Sequence, residues 1–319
     1  MCPAQVPYAQ LINNFRSETA SSNNKKLNWI ERFSINYLTG QHRKGLNSLL
    51  RCYQKMGLNK LPLRLNSYLP KKVFANHLNE TYPSLALKKQ GHVALFTGCA
   101  TEIVDSKTLK DSLFLLQHCG FDITIPKNQR CCGAIDLHAG NKARAFELAQ
   151  NNQLAFSSNG YDAIITVASG CGATLAEYDS YIAPKTTDIN DFIAPYLSAL
   201  TFNPLAASAW LHTPCTLKNV QSKGTDISVA LSAIGELDIK QFDDNQHCCG
   251  SAGNYMLTHK ETADALREKT LAPLKKQPTN YLLSSNIGCA MHLRAGLKQA
   301  GLNTEVLHPV SLLAQQLKV

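Results

Sequence analysis

The chain contains no run of some twenty uninterrupted apolar residues. Its most apolar stretch, Ile193 to Leu211, is broken by Pro195, Asn203 and Pro204, which predicts a helix end, a turn and a strand instead of a membrane span. Met1-Cys2-Pro3 leads into polar sequence without a charged segment and an apolar one behind it, so no secretory leader is expected. There is no Gly-x-Gly-x-x-Gly fingerprint after a strand, no Walker loop and no nucleophile elbow, which argues against dinucleotide binding, phosphate cradling and serine hydrolysis on this chain. Basic stripes interleaved with aromatics are also missing. The formal charge of +9 is spread over pairs such as Lys25-Lys26, Arg43-Lys44, Lys71-Lys72, Lys88-Lys89 and Lys275-Lys276, which fits a solvated surface or an acidic protein partner and not nucleic acid.

Cysteine, by contrast, is plentiful: 11 in 319 residues. With no leader expected, this density points to a reducing cytoplasm, where clustered thiols hold metals or do redox chemistry. Eight of the eleven form one design used twice. Cys99, Cys131-Cys132-Gly133 and Cys171 are matched by Cys215, Cys248-Cys249-Gly250 and Cys289, at offsets of 116, 117 and 118 residues. Such regularity marks an internal duplication.

The surrounding pattern alternates strand and helix. Apolar runs at His92–Phe96, Phe121–Ile125 and Ala163–Val167 are separated by helical stretches at Leu109–Cys119 and about Asn141–Phe156. The second half repeats the order with strands at Ala209–His212, Leu237–Phe242 and Tyr281–Leu283 and helices near Ile227–Ile234 and Lys260–Leu271, and residues 188–192 and 308–313 each open a short closing helix. This predicts an α/β fold of two tandem Rossmann-like domains, residues 91–205 and 206–319, each with a mainly parallel sheet and a core of its own. A helical segment, residues 1–90, precedes them, with helices around Leu27–Leu38 and Lys44–Lys55 and a loop at Leu61–Lys71. Ligands of such sheets gather at the carboxyl ends of strands, where Cys99, Cys171, Cys215 and Cys289 are expected, so the four thiols of each half can converge, near the interface between the domains.

In the first set 31 residues separate Cys99 from Cys131 and 37 separate Gly133 from Cys171; in the second the gaps are 32 and 38. Spacing this long excludes a compact zinc finger. Three readings stand: an iron–sulfur cluster, for which adjacent cysteines reach two irons where a glycine relaxes the turn; zinc held by four thiolates; or a vicinal redox pair.

Five segments then carry a resemblance: Cys-Cys-Gly-Ala-Ile-Asp-Leu-His138, Ala-Ser-Gly-Cys171-Gly, Thr-Pro-Cys215-Thr-Leu-Lys, Cys-Cys-Gly-Ser-Ala-Gly-Asn-Tyr-Met-Leu-Thr-His259 and Asn-Ile-Gly-Cys289-Ala-Met-His-Leu. They resemble the iron–sulfur subunits of bacterial glycolate oxidases, in the wider family of tandem Cys-Cys-Gly domains that includes the B component of heterodisulfide reductase, lactate-utilisation proteins and the C component of anaerobic glycerol-3-phosphate dehydrogenase. The resemblance implies one or two clusters, [4Fe–4S] in type, ligated by Cys99, Cys131, Cys132 and Cys171 and by Cys215, Cys248, Cys249 and Cys289, with Gly133 and Gly250 shaping the cofactor loops and zinc as an alternative in one set. It implies electron transfer from FAD-containing glycolate oxidase subunits toward a quinone or other membrane acceptor, from a cytoplasmic position that could include the inner face of the cell membrane. Hydride removal from the 2-hydroxy acid would not occur on this chain.

Two departures qualify this. The heterodisulfide reductase motif ends in Cys-x-x-Cys, whereas Ala168 and Asn286 stand three residues before Cys171 and Cys289, leaving four thiols per set. Cys2-Pro3 resembles the end of the second Cys-x2-Cys-x2-Cys-x3-Cys-Pro run of a ferredoxin-like domain, whose other cysteines would lie upstream or on a separate ferredoxin-like chain. Other functions for the Cys-Cys pairs are thiol or heterodisulfide reduction on this chain, or a metal that only stabilises an assembly subunit. Cys52 and Cys119 read as packed thiols, Asp243 and Asp244 as a solvated turn, and Tyr255 as core. His138, His247, His259 and His292 lie near motif cysteines and could hydrogen-bond cluster sulfur or relay protons, with ordinary packing the plainer reading.

Overall fold

The computed structural model describes residues 8–22, 43–61, 63–157, 160–178, 181–221, 227–242 and 248–319. Cys2, His247, Asp243, Asp244 and the helix expected at Leu27–Leu38 lie outside them.

Among the described residues the strands are β1 (Thr81–Tyr82), β2 (Gly91–Phe96), β3 (Phe121–Thr124), β4 (Ala163–Thr166), β5 (Thr186–Asp188), β6 (Ala207–His212), β7 (Leu237–Gln241), β8 (Tyr281–Ser284) and β9 (Glu305–Leu307). They form two sheets, ordered β1-β3-β2-β4-β5 and β7-β6-β8-β9. All these strand pairings are parallel except β1 on β3, with registers such as Ala94↔Ile164 in the first sheet and Trp210↔Leu282 in the second. Leaving out β1, the two orders are the same, so the duplication read from the cysteines extends to the topology. In each half the chain steps from the first strand to one side and then crosses to the other. The resulting switch point is a crevice at the carboxyl ends of β2 and β4, or of β6 and β8.

The central strands are apolar on both faces because both faces are covered. Val93 and Leu95 of β2, Ile165 of β4, Ala209 and Leu211 of β6 and Leu283 of β8 all enter one large cluster. Between the sheets that cluster takes in Leu109, Leu113 and Leu116 of the helix Ser106–His118, Ile189 and Ile193 of Ile189–Ile193, Leu231 of Ile227–Leu231, and Leu312 and Leu313 of Pro309–Gln316. The alternate residues point outward into separate clusters: Ala94, Phe96 and Ile164 in the first half, Trp210 and Leu282 in the second. The two halves thus share a central core, which differs from the expectation of one core each. The reason is pairing across the duplication, since the helix Ser106–His118 packs extensively against Pro309–Gln316 of the other half. Both closing helices begin on a buried cap: Asp188 Oδ1 accepts from Asn190 N at 2.9 Å and His308 Nδ1 from Val310 N at 3.1 Å.

The expected helix near Lys44–Lys55 is present as Arg43–Lys55 and lies on the helix Cys99–Val104, fastened by Asn47, whose Nδ2 donates to Phe74 O (3.0 Å) and Ile103 O (2.9 Å). The segment expected to be a loop at Leu61–Lys71 contains a short helix, Arg64–Tyr68, which packs on the helix Ile287–Gln299 of the second half. A five-residue helix between Pro62 and Pro70 is too short to show a period; the buried ring of Tyr68, stacked on His292 at 6.3 Å, holds the turn in place. β1 likewise falls in a segment expected to be helical. Among the described residues no helix is long and apolar enough to cross a membrane.

Candidate metal centre

Each flanking cysteine sits just beyond the carboxyl end of a central strand. Cys99 opens the helix Cys99–Val104 after Gly98 (φ 69), and Cys171 lies in the first turn of Ser169–Ala176 after β4. Cys289 holds the matching place in Ile287–Gln299 after β8, and Cys215 follows β6.

The paired cysteines follow β3 and β7 in the chain. Gly133 and Gly250 follow them at φ 86 and 83, a left-handed conformation that a side chain disfavours. A Cβ on Gly133 would stand 3.2 Å from the Ala145 backbone and one on Gly250 only 2.4 Å from Ala263 O. Both glycines therefore let the Cys-Cys turn press against the helix behind it, Lys142–Phe156 or Lys260–Lys276.

In the first half the thiols form a contact chain. Cys131 Sγ is 3.4 Å from Cys99 Sγ, and the Cys132 thiol interacts with those of Cys131 and Cys171. Cys99, Cys131 and Cys132 are buried and Cys171 is half-buried. The second half repeats the chain: Cys215 to Cys248, Cys248 to Cys249, and Cys249 Sγ to Cys289 Sγ at 2.9 Å. Gly250 N donates to Cys248 Sγ at 3.4 Å. None of these cysteines is in a disulfide.

Crowding decides their ionisation. Hydrogen bonding with Cys132, and then burial, pushes the Cys131 thiol well up. The Cys132 thiol is drawn down by its bond with Cys131 but pushed further up by Cys171 and by burial. In the second half Cys248 is drawn far down by hydrogen bonds from Cys215 and Cys249, while Cys215 and Cys249 are pushed up. Four adjacent thiols cannot all ionise without a cation among them, and a soft cation is what such a set accepts. The donors present fit an iron–sulfur cluster or zinc, and binding would release protons.

Three positioning residues escaped the sequence reading. Asn152, wholly buried, donates from Nδ2 to Cys131 O (3.0 Å) and accepts from Arg130 N at Oδ1 (2.7 Å). Tyr178 OH donates to Cys132 O at 2.8 Å. Gln129 ties the loop to the end of β2, accepting from Thr97 N (2.9 Å) and donating to Leu95 O (3.1 Å). A fourth is His212, buried, with its Nδ1 3.0 Å from Ser284 Oγ and a ligand atom within 4.8 Å of those of Cys249 and Cys289. Its signal was its place three residues before Cys215.

The histidines singled out from sequence fare differently. His292 Nε2 donates to Ala263 O at 3.1 Å and its ring stacks on Tyr68, so it braces two elements instead of facing sulfur. His259 is exposed and stacks on Tyr255 at 4.4 Å. Tyr255 is half-buried against the small cluster of Tyr68 and Met256. His138 lies across from Gly253 of the second half, 3.3 Å from where a Cβ there would be. Cys119 is buried, as expected, and its thiol is pushed up to about 12 by desolvation; Cys52 is exposed, because its face of Arg43–Lys55 is turned to solvent.

Two adjacent thiols from a glycine turn, closed by two more from neighbouring strand ends and built twice, define a tandem cysteine-rich protein. The family model described as a cysteine-rich domain, CCG, matches residues 93–176 and 209–294, and the chain belongs to that family. Its relatives include the probable glycolate oxidase iron–sulfur subunit of Bacillus subtilis, 30% identical over 99% of this chain and 79% of that protein. The glycolate oxidase iron–sulfur subunit of Escherichia coli is 29% identical over 82% of this chain and 67% of its own length. The B component of the fumarate reductase (CoM/CoB) of Methanothermobacter marburgensis is 28% identical over 69% of this chain and 45% of its own.

Proposed function

We propose that this chain is the iron–sulfur electron-transfer subunit of a glycolate oxidase type complex. Cys99, Cys131, Cys132 and Cys171 would hold one cluster and Cys215, Cys248, Cys249 and Cys289 another, of the [4Fe–4S] type, for which four thiolates suffice. The observation that carries the reading is the convergence of four free thiols at the switch point of each half. A bound cluster supplies one-electron transfer. The chain's own residues do the rest: Asn152, Tyr178 and Gln129 set the Cys-Cys loop, Gly133 and Gly250 let it seat, and Phe96, Phe156 and Leu148 shield the first set from water.

Electrons would arrive from flavoprotein subunits that oxidise glycolate or a related 2-hydroxy acid and leave toward a quinone or another membrane acceptor, with the chain on the cytoplasmic side. The net charge of +9 favours acidic partner surfaces, a ferredoxin-like chain among them. Residues 91–205 and 206–319 are the two cluster-holding domains of this reading. The test is anaerobic purification with iron, acid-labile sulfide and zinc counted per chain and EPR of oxidised and reduced samples. Four or eight irons with matching sulfide and a reducible signal are expected; zinc alone, or no metal, would refute it.

A further inference from the structure

The two halves match in their thiols but not in what stands behind them. Phe96, the last residue of β2 and three before Cys99, packs against Phe156 at 6.1 Å and walls the first set with hydrocarbon. The same place in β6, three before Cys215, holds His212. An imidazole here is 2% exposed. Burying a polar ring beside four thiols costs stability unless the ring is used.

Its environment shows how it could be used. Nδ1 is 3.0 Å from Ser284 Oγ, at the carboxyl end of the neighbouring strand. The equivalent residue in the first half, Thr166, has no imidazole to meet and donates to Thr187 O instead. A histidine that gives Nδ1–H to an oxygen is fixed in the tautomer whose Nε2 lone pair is free, the arrangement in which histidine ligates metals. The ligand atoms of His212, Cys249 and Cys289 all lie within 4.8 Å of one another. Donors held about 2.0 to 2.3 Å from a common ion stand roughly 3.3 to 3.8 Å apart in tetrahedral geometry, so modest closure brings these three onto one ion. Of the four thiols in this half, Cys215 alone is exposed, and it is the one an imidazole can replace.

We propose that His212 is a metal ligand of the second centre together with Cys249 and Cys289, giving that centre mixed nitrogen and sulfur ligation while the first is all-thiolate. The proposal rests on the reading of the cysteine sets as metal centres. Three protein donors on one ion make a mononuclear centre in place of the second cluster, because each iron of a cubane takes a single protein ligand, so two sites built by duplication would hold unlike metal groups. In this refinement His212 takes the place given above to Cys215, which would be left as an exchangeable thiol at the surface.

The test uses the full chain, purified without oxygen, as wild type and as a Cys131→Ser, Cys132→Ser variant in which bound metal belongs to the second half. X-ray absorption at the iron and zinc edges is compared with ENDOR of reduced wild type grown on ¹⁵N-histidine. One nitrogen at about 2.0 Å is expected, with its ENDOR coupling where the metal is iron; it should be lost in His212→Phe and kept in His259→Gln, whose ring is exposed. A second centre with sulfur ligands only, or a nitrogen that survives His212→Phe, overturns the proposal even if the double serine variant does not fold, because the wild type reports both. Absence of metal from the wild type would defeat the electron-transfer reading as well; metal with an all-sulfur shell would defeat this inference alone.

Discussion

Replacing the glycine of each Cys-Cys-Gly turn by alanine separates backbone strain from close packing. Gly133 and Gly250 have nearly the same positive φ, 86 and 83, so in both Gly133→Ala and Gly250→Ala the new side chain is forced into the left-handed region at a cost of about 1–2 kcal/mol. The surroundings differ. At Gly133 the added Cβ meets the Ala145 backbone at 3.2 Å, a contact that a shift of a few tenths of an ångström relieves; at Gly250 it would overlap Ala263 O at 2.4 Å and Ala263 Cα at 3.0 Å. Ala263 cannot retreat easily, being fully buried with its carbonyl held by His292. Overpacking of that kind adds about 1–3 kcal/mol. Gly133→Ala should therefore lose about 1–2 kcal/mol and Gly250→Ala about 2–5 kcal/mol, measured by urea unfolding of the metal-free, reduced protein. Metal content of the second set should fall with Gly250→Ala, as Cys249 is displaced. Equal losses in the two variants, or a larger loss in Gly133→Ala, would refute the reasoning.

Asn152→Ala strips partners from Cys131 O and Arg130 N; buried groups left unsatisfied cost about 1–3 kcal/mol each, so a stability loss of about 2–5 kcal/mol is expected, with Tyr178→Phe losing about 1–2 kcal/mol because its OH donates to Cys132 O and accepts from Asn152 Nδ2, both read by urea unfolding. Burial raises Asp188 from 3.8 to about 7, so the folded state holds this proton more tightly than the unfolded one; the stability it contributes is full below pH 3.8 and is lost as pH rises through about 7. Asp188→Asn keeps a capping oxygen and removes the titration, so it should equal wild type near pH 4 and exceed it at pH 8; parallel pH profiles would contradict this. In metal-free protein a maleimide at pH 7 should label Cys52 promptly and Cys119 only on unfolding, since the latter is buried and its thiol stays protonated to about pH 12; mass spectrometry after brief labelling decides.

Much of this was legible because duplication left its mark at long range in the sequence. The cysteine offsets of 116 to 118 residues foretold two sheets of like strand order, which β1 alone breaks, and apolar runs such as Val93–Phe96 marked strands covered on both faces. Local periodicity does not say what covers them, so the shared core between the sheets was not foreseen. The same gap explains the histidines. His292 is three residues from Cys289 in sequence, yet one turn along the helix its ring meets Lys260–Lys276; His212 had only its place three residues before Cys215 as a signal and reaches the thiols because β6 ends beside β8. Asn152 looks like any polar residue within a helix until the Cys131 loop is laid across it.

The arrangement of the core bears on how the two cysteine sets behave. The crossover helix Ser106–His118 of the first half is packed on the closing helix Pro309–Gln316 of the second, so neither sheet can shift without disturbing the helices that brace the other. The sets are joined more directly as well: Ser169 Oγ, two residues before Cys171, lies 2.8 Å from Thr216 Oγ1, next to Cys215, and Ser169 N donates to Ser285 O at 3.0 Å. A ligand change at one set therefore has a short covalent and hydrogen-bonded route to the other. If the halves fold as one unit through this shared core, loss of metal from either set should lower the stability of the whole chain in a single transition instead of melting one half. Two separate transitions in the Cys131→Ser, Cys132→Ser variant, followed by calorimetry, would show that the shared core does not enforce that unity.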